Sequence, residues 1–352
     1  MSSGPLMTPG PPAMPADPVA DGGRRLISVV SPCYNEAEVI DLFFEELRHV
    51  IDGLPEYDFE MIFVDDGSAD RTLEALNRIA ERDRRVRVAS FSRNFGHQIA
   101  LTAGLDFAAG DAVIMMDSDL QHPPSLIPEM IKCWREGHDI VSAVREDAEG
   151  ISIFKKASSR AFYFLINALS PVHIPEGAAD FCLVSRRVAS ALHSMRERHR
   201  FLRGMISWSG FSRTFVPYRA AARAAGESKY TLVKMVVMAL DAIVSFTTAP
   251  IRLATRVGFV ITGLGFVYLA WDLIKAFGSG RMAPGWASLI SVIMIMGGAQ
   301  LIFIGLIGQY LARVFEELKG RPMYILKQEP APPAGTRITS PPAPAAAPPR
   351  SS

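Results

Sequence analysis

The chain has only three cysteines in 352 residues, and Cys33, Cys133 and Cys182 show no metal-ligand spacing. Neither a zinc site nor a disulfide scaffold is indicated, and a reducing compartment is the simplest setting. No Gly-x-Gly-x-x-Gly follows the first apolar run and no Gly-x-x-x-x-Gly-Lys-Ser/Thr occurs anywhere. Dinucleotide and NTPase readings therefore lose their usual phosphate loop. Net charge is also missing: 37 Lys and Arg against 36 Asp and Glu leave +1, which predicts no global attraction to nucleic acid. Residues 1–24 lack the apolar core of a signal peptide and are rich in Pro, Gly, Ala and Ser. The stretch 328–352 has the same Pro/Ala bias, and both ends are expected to be disordered.

What the chain does have is a regular alternation. Leu26–Pro32, Phe59–Val64, Val86–Phe91, Val113–Met116 and Ile140–Val144 are apolar runs of strand length. Between them lie helical patterns, one ending near Gly53, one after Ser68 or Asp70 as N-cap, and one over Ile99–Ala109. Strands alternating with helices predict a doubly wound α/β layer with a mostly parallel sheet. Ligands of such sheets gather outside the carboxyl ends of the strands. Those ends carry Pro32, Tyr34 and Glu36, then Asp65 and Asp66, then Asp117 and Asp119, then Arg145. An aromatic face, carboxylates for base N–H or ribose hydroxyls, a metal site and a cation make a nucleotide pocket. Asp117 and Asp119, with Gln121 behind them, offer hard oxygen ligands suited to Mg²⁺ or Mn²⁺, with substrate phosphate oxygens completing the shell. Taken alone, Asp-x-Asp is frequent by chance and reads more simply as a solvated turn; the other motifs raise the metal reading.

Four motifs stand in register: Pro-x-Tyr-Asn-Glu from Pro32, Val-Asp-Asp-Gly-Ser-x-Asp from Val64, Arg-Asn-x-Gly from Arg93, and Met-Asp-x-Asp-Leu-Gln-x-Pro-Pro from Met116. In this order and at these intervals they resemble glycosyltransferase family 2, and within it the polyprenyl-phosphate glycosyltransferases. The resemblance covers roughly residues 26–328 and implies a GT-A fold. It implies inverting transfer of a monosaccharide from a nucleotide diphosphate sugar to polyprenyl phosphate, undecaprenyl phosphate in a bacterium. Pro32, Tyr34, Glu36 and Asp66 would then hold the nucleotide, Asp117 would face ribose and metal, and Asp119 with Gln121 would ligate the metal. Arg145, Lys155, Ser159 and Arg160 match positions that meet the diphosphate or the acceptor phosphate. Ala179-Asp180-Phe181-Cys182-Leu183 resembles a Gly-Asp-Phe-Arg-Leu pattern in which Ala179 and Cys182 replace Gly and Arg. Asp180 is retained and is expected to orient the acceptor or the sugar. A phosphate acceptor is already anionic, so the chemistry needs no general base.

Positive charge is concentrated between Arg186 and Lys229. Arg200 and Arg203 lie three apart and are expected to face one anion, the acceptor phosphate, with bidentate forks. Arg223 and Lys229 are expected at headgroup level. His97 and His122 border the pocket without an assigned task.

The C-terminal half is apolar in two stretches, from Arg252/Arg256 to Phe277 and from Trp286 to about Arg313. Each meets the ~20 residues needed to cross a bilayer. Flanking Arg and Lys residues place both termini and the catalytic domain in the cytoplasm of an inner-membrane, multi-pass protein. Leu232–Ile251 contains Lys234 and Asp241 and is expected to lie in the interface. The chain thus divides into a lead (1–24), a GT-A domain (25–222), interfacial amphipathic helices (223–252), two transmembrane helices (253–313), a cytoplasmic segment (314–327) and a tail (328–352).

The paired spans and the stretch Glu316–Tyr324 resemble the bactoprenol glucosyltransferase branch, which favours UDP-glucose as donor over GDP-mannose, the donor of dolichol-phosphate mannose synthase. A homo-oligomer is compatible with that resemblance. A processive polysaccharide synthase is disfavoured because no Gln-x-x-Arg-Trp occurs. A non-catalytic membrane scaffold or translocation subunit would leave Asp66, Asp117 and Asp119 without purpose.

Overall fold

The computed structural model describes residues 24–145, 178–198, 200–218 and 285–332, with single helical positions between 251 and 274. Its elements are β1 (Arg25–Cys33), α1 (Ile40–Asp52), β2 (Tyr57–Asp65), α2 (Thr72–Arg82), β3 (Val86–Phe91), α3 (His97–Phe107), β4 (Ala112–Met115) and a 3₁₀ turn (Pro124–Leu126). There follow α4 (Ile127–Arg135), β5 (Ile140–Arg145), β6 (Ala178–Ser185), α5 (Arg186–Ser194), α6 (Leu202–Trp208), β7 (Arg213–Tyr218), α7 (Trp286–Leu318) and β8 (Leu326–Gln328).

The strands form one sheet in the order β7-β5-β6-β4-β1-β2-β3-β8. β4, β1, β2 and β3 pair in parallel, and so do β5 and β7. β6 is inserted antiparallel between β4 and β5, and β8 caps β3 antiparallel. The sheet is therefore mixed, with two strands reversed in an otherwise parallel layer. The reversal of β6 matters for the site. Met115 pairs with Cys182, so one more pleat along this register sets Asp180 opposite Asp117, beyond the carboxyl end of β4.

Both faces of the sheet are covered. Phe43, Phe44, Leu47 and Ile51 of α1, Leu76 and Ile79 of α2 and Met130 and Ile131 of α4 pack on the face bearing Ile114 and Phe63. Leu101 and Leu105 of α3, Leu192 of α5 and Met205 of α6 pack on the other face, over Val30, Met115 and Val184. Burial on both faces explains why the strands read as continuous apolar runs. α3 lies closest: a Cβ added at Gly104 would stand 2.0 Å from Val30 Cγ1. Only glycine lets this helix approach the sheet so tightly, and the approach brings its first residue, His97, over the end of β4.

One expectation changes here. Gln328 to Ala331, expected to open the disordered tail, is held by the domain: β8, which ends at Gln328, pairs with Ser90 and Phe91 of β3, and Arg87 Nε donates to the Ala331 carbonyl at 2.6 Å. Tyr324 stacks on Phe91 at 5.1 Å. Those apolar and hydrogen-bonding groups hold the strand despite the Pro/Ala bias that follows it. In the membrane half, α7 contains one stretch, Met296–Leu318, of 23 residues that is long and apolar enough to cross a membrane. The first expected span lies for the most part outside the described residues, as does the interfacial stretch Leu232–Ile251.

Candidate active site

A cavity of about 300 Å³ opens at the carboxyl ends of β1, β2 and β4, lined by Pro32, Tyr34, Glu36, Asp66, His97, Asp117 and Asp119 among others. Its walls are loops latched to one another. Asn35, in the left-handed region at φ 56°, donates its N–H to Ser68 Oγ (3.0 Å) and accepts the Ala69 N–H on Oδ1 (2.9 Å). Glu36 N–H donates to Thr72 Oγ1 (2.8 Å) and Ala37 N–H to Asp70 Oδ2 (3.2 Å). Asp70 Oδ1 also accepts the Thr72 N–H (3.0 Å), the first residue of α2. Gly67 is required at the turn between them: its φ is 66°, and a Cβ would meet the Arg93 carbonyl carbon at 2.4 Å.

The two carboxylates after β2 have separate tasks. Asp65 is buried, accepting the Ser90 hydroxyl (2.7 Å) and the Ser68 N–H (3.1 Å). Expected among the nucleotide-binding groups, it instead ties the loop to β3, and it does not line the cavity. Asp66 does line it, with Oδ1 accepting the Phe95 N–H (2.7 Å) and Oδ2 the Gly96 N–H (2.9 Å). Burial pushes the Asp66 carboxyl up in spite of those donors. Burial, reinforced by Asp119, Asp70 and Asp117, pushes Glu36 up to about 7.

The loop after β4 turns through Leu120 at φ 63°, a conformation that costs a branched side chain roughly 1–2 kcal/mol. Leu120 packs against the core, while Asp119 accepts the Gln121 N–H (3.1 Å) and the Gln121 side-chain amide (2.6 Å). Ser118, between the two aspartates, is buried and donates to the Pro32 carbonyl (2.9 Å), joining this loop to β1. Asp117 is held by two histidines. Its N–H donates to His122 Nδ1 (3.0 Å), and its Oδ1 lies 2.7 Å from His97 Nε2. His122 is buried and stacks on Phe181 at 5.2 Å, so burial keeps it below the usual histidine range. Burial acts on Asp117 and His97 too, but their mutual hydrogen bond wins, lowering the carboxyl and raising the imidazole.

Opposite stands Asp180, brought in by the reversed strand. Arg203 of α6 grips it with a bidentate fork, Nε to Oδ1 at 2.6 Å and Nη2 to Oδ2 at 2.9 Å. Gln98 completes the cluster: its amide approaches Asp180 Oδ2 at 3.4 Å, and its carbonyl oxygen accepts the Leu202 N–H at 2.9 Å. Among the described residues no group of three or more His, Cys, Asp or Glu side chains is gathered as a ready metal cage.

Residues 28–192 match the family described as glycosyl transferase family 2, and residues 249–314 match the GtrB C-terminal hairpin. The chain is 41% identical over 301 residues to an uncharacterized glycosyltransferase, YkcC, of Bacillus subtilis, covering 86% of this chain and 93% of that one. The SfII prophage-derived bactoprenol glucosyl transferase of Shigella flexneri is 41% identical over 302 residues, covering 86% and 97%. The chain belongs to glycosyltransferase family 2. A solved structure of glucosyl-3-phosphoglycerate synthase from Mycobacterium tuberculosis, with Mn²⁺, UDP-glucose and phosphoglyceric acid, is 21% identical, covers 62% of this chain and 78% of that one, and superposes with a TM-score of 0.41. The mixed α/β layer is the GT-A-like fold of this family, and the protein is a glycosyltransferase, which ends the scaffold reading.

In this glycosyltransferase the crevice gathers Pro32, Tyr34, Glu36, Asp66, Asp117 and Asp119. Gln121 stands beside Asp119, and Arg145 ends β5 beside Tyr218 of β7. The arginine pair separates. Arg200 is buried, with Nη2 on the Leu192 carbonyl (2.8 Å) and Nη1 on the Met195 carbonyl (2.7 Å), closing the end of α5. Only Arg203 reaches Asp180, so the two do not share an anion. Lys155, Ser159, Arg160, Arg223 and Lys229 lie outside the described residues. His97, His122 and Gln98 hold the aspartates without having been assigned that task from sequence. The signals were Gly-His-Gln at a helix start and a histidine just before Pro-Pro.

Proposed function

We propose that the protein transfers a monosaccharide, glucose from UDP-glucose, to polyprenyl phosphate at the cytoplasmic face of a membrane, with inversion at the sugar. The observation that carries this is the 41% identity over nearly the full length of bactoprenol glucosyl transferases, spanning both the crevice and the C-terminal hairpin. α7 is then a transmembrane helix, and the hairpin match supports a second span before it.

Tyr34, 47% exposed at the cavity rim, offers its ring to the base. Glu36 and Asp66 accept from base or ribose, and Asp117, fixed by His97 and His122, faces the ribose. The residues fit a divalent cation. Glu36, Asp117 and Asp119 line the same crevice, burial together with the neighbouring carboxylates pushes Glu36 up to about 7, and hard carboxylate oxygens with an amide oxygen suit Mg²⁺ or Mn²⁺. Asp117, Asp119 and Gln121 would hold the cation, which supplies charge screening for a leaving diphosphate. The acceptor phosphate monoester is anionic near neutral pH and needs alignment rather than deprotonation. Arg203 supplies the positive charge for it, and Asp180, held by Arg203 and Gln98, orients that guanidinium and the incoming group.

The test is a panel of radiolabelled UDP-glucose, GDP-mannose and other nucleotide sugars with undecaprenyl phosphate and the purified full chain. A lipid-linked monosaccharide made from UDP-glucose is the expected product. Transfer from GDP-mannose alone would reassign the donor, and a long polymer would reassign the reaction to a processive synthase.

A further inference from the structure

The base of α7 meets the catalytic domain over a cavity of about 570 Å³ that has no part in the crevice. Its walls come from Asp106 at the end of α3, from His193, Arg196 and Arg198 in and after α5, and from the stretch that leaves α7. Charge there is unbalanced. Asp106 is saturated, accepting from His193 Nδ1 (2.6 Å), Arg196 Nη1 (3.0 Å) and the Tyr324 hydroxyl (3.1 Å). Glu317 accepts the Arg198 backbone N–H at 2.7 Å rather than a guanidinium. The Arg198 guanidinium donates to the Arg321 carbonyl and has Glu316 at 3.7 Å, a carboxylate already engaged by Lys319. Arg321 is exposed, and among the described residues the carboxylate whose charge it feels, Glu316, lies beyond ion-pair distance and is already bound by Lys319.

Immediately before this pocket Leu311, Phe315 and Leu318 are 67%, 59% and 79% exposed, at the end of the stretch long and apolar enough to cross a bilayer. An exposed apolar helix end that runs into a pocket of guanidinium groups has the two-part chemistry of a phospholipid. Planar guanidinium forks match phosphate oxygens, and basic residues just cytoplasmic of a span attract anionic lipid. We propose that this cavity binds the headgroup phosphate of an anionic glycerophospholipid of the bilayer, with Arg198 and Arg321 as its cationic contacts and the acyl chains along Leu311, Phe315 and Leu318. The inference rests on the membrane seating of α7 proposed above. The nine residue steps of α3 from His97 to Asp106 span about 14 Å, which separates this lipid from the acceptor phosphate at the crevice. Because Tyr324 binds both Asp106 and the Phe91 ring, a lipid here would also brace the joint between membrane helix and catalytic domain.

The experiment uses the purified full chain in uncharged detergent with mixtures of phosphatidylglycerol and phosphatidylcholine, counting retained lipids by native mass spectrometry. Phosphatidylglycerol is expected to be retained in preference. Arg321→Gln, which breaks no side-chain hydrogen bond found in the structure, should reduce that preference about fivefold, the factor for one basic group near an anionic lipid surface. Arg198→Lys should reduce it less, keeping charge without the fork. Arg84→Gln, equally exposed but at the opposite end of β3, should leave it unchanged. Equal retention of both lipids, an equal loss with Arg84→Gln, or displacement of the lipid by millimolar inorganic phosphate would overturn the assignment. Flotation with pure phosphatidylcholine vesicles reads the seating of α7 separately. Loss of flotation would sink the seating and the site together, whereas flotation without lipid preference would sink the site alone.

Discussion

Four loops hold the half of the crevice proposed for the donor through hydrogen bonds to the backbone, whereas the half proposed for the acceptor depends on two side chains, Gln98 and Arg203, gripping one carboxylate. Asn35, Asp66, Ser68 and Asp70 each bond to main-chain groups of a neighbouring loop, and Asp65 accepts the Ser68 N–H within its own loop. Losing one such side chain leaves the others in place. Asp180 stands on a strand inserted from more than sixty residues downstream of Asp117, and its partners come from α3 and α6. The donor half is thus preorganised before any ligand arrives. The acceptor half is a set of charges that can be regrouped around an incoming phosphate.

The largest effect should come from Asp119→Ala. Among the described residues the side chain bonds within its own loop, to Gln121, so folding and membrane insertion should survive while transfer falls on the order of 10³-fold, as when a charge-stabilising group is removed from an active site. Metal-dependent turnover at the wild-type rate would break the assignment of the donor half. Next comes the acceptor half. Arg203→Ala should raise the apparent KM for polyprenyl phosphate, or lower its turnover, by roughly 10–100-fold, the range for a hydrogen bond to a charged group. Arg203→Lys should recover only part of this. Nucleotide-sugar binding, measured directly by calorimetry, should be unchanged in both variants. A matching loss of donor affinity would mean that the two halves are one unit.

Arg200→Ala sharpens the contrast from the structural side. Its guanidinium serves two carbonyls at the end of α5, one of them buried, and removing it should cost about 1–3 kcal/mol of stability with no change in acceptor titration of the folded fraction. Gly67→Ala should cost a similar roughly 1–3 kcal/mol through backbone strain, and here the donor KM should rise as the loop yields against Arg93. Thermal unfolding beside steady-state kinetics separates the two outcomes.

Much of this contrast explains what could be read from sequence. The donor motifs are contiguous, so an apolar run followed by Asp-Asp-Gly-Ser or Asp-Ser-Asp already places its carboxylates at a strand's carboxyl end. What contiguity cannot reveal is division of labour: Asp65 ends β2 and turns to the Ser90 hydroxyl of β3, while Asp66, the first residue beyond the strand, lines the crevice. Arg200 and Arg203 fit one helical face only if both are helical, and α6 begins at Leu202. Arg200 precedes the helix and turns back on α5. β6 and β8 escaped notice for different reasons. Asp180 interrupts the apolar run of β6, and β8 is three residues long beside a proline-rich stretch, held by partners on β3 rather than by its own pattern.

The smallest expected effect lies in Glu36, and it tests whether the carboxylates of the proposed donor half take a divalent cation. Burial and the carboxylates of Asp119, Asp70 and Asp117 raise its pKa from 4.5 to about 7. Between those values the folded protein holds a proton that the unfolded chain has released, so stability falls as pH rises from 4.5 through 7 and the loss is complete above that. Glu36→Gln carries no such proton. Its melting temperature should match the wild type near pH 4 and exceed it at pH 8, by only about 1–2 °C because a half-exposed carboxyl is screened by solvent. Adding Mg²⁺ or Mn²⁺ at pH 8 should raise the wild-type melting temperature and close the gap, since a cation among these carboxylates favours the ionised Glu36. A gap that persists unchanged at saturating metal would mean that no cation sits close enough to Glu36 to offset the carboxylates of Asp117 and Asp119, and would break the assignment of Asp117, Asp119 and Gln121 as its holders.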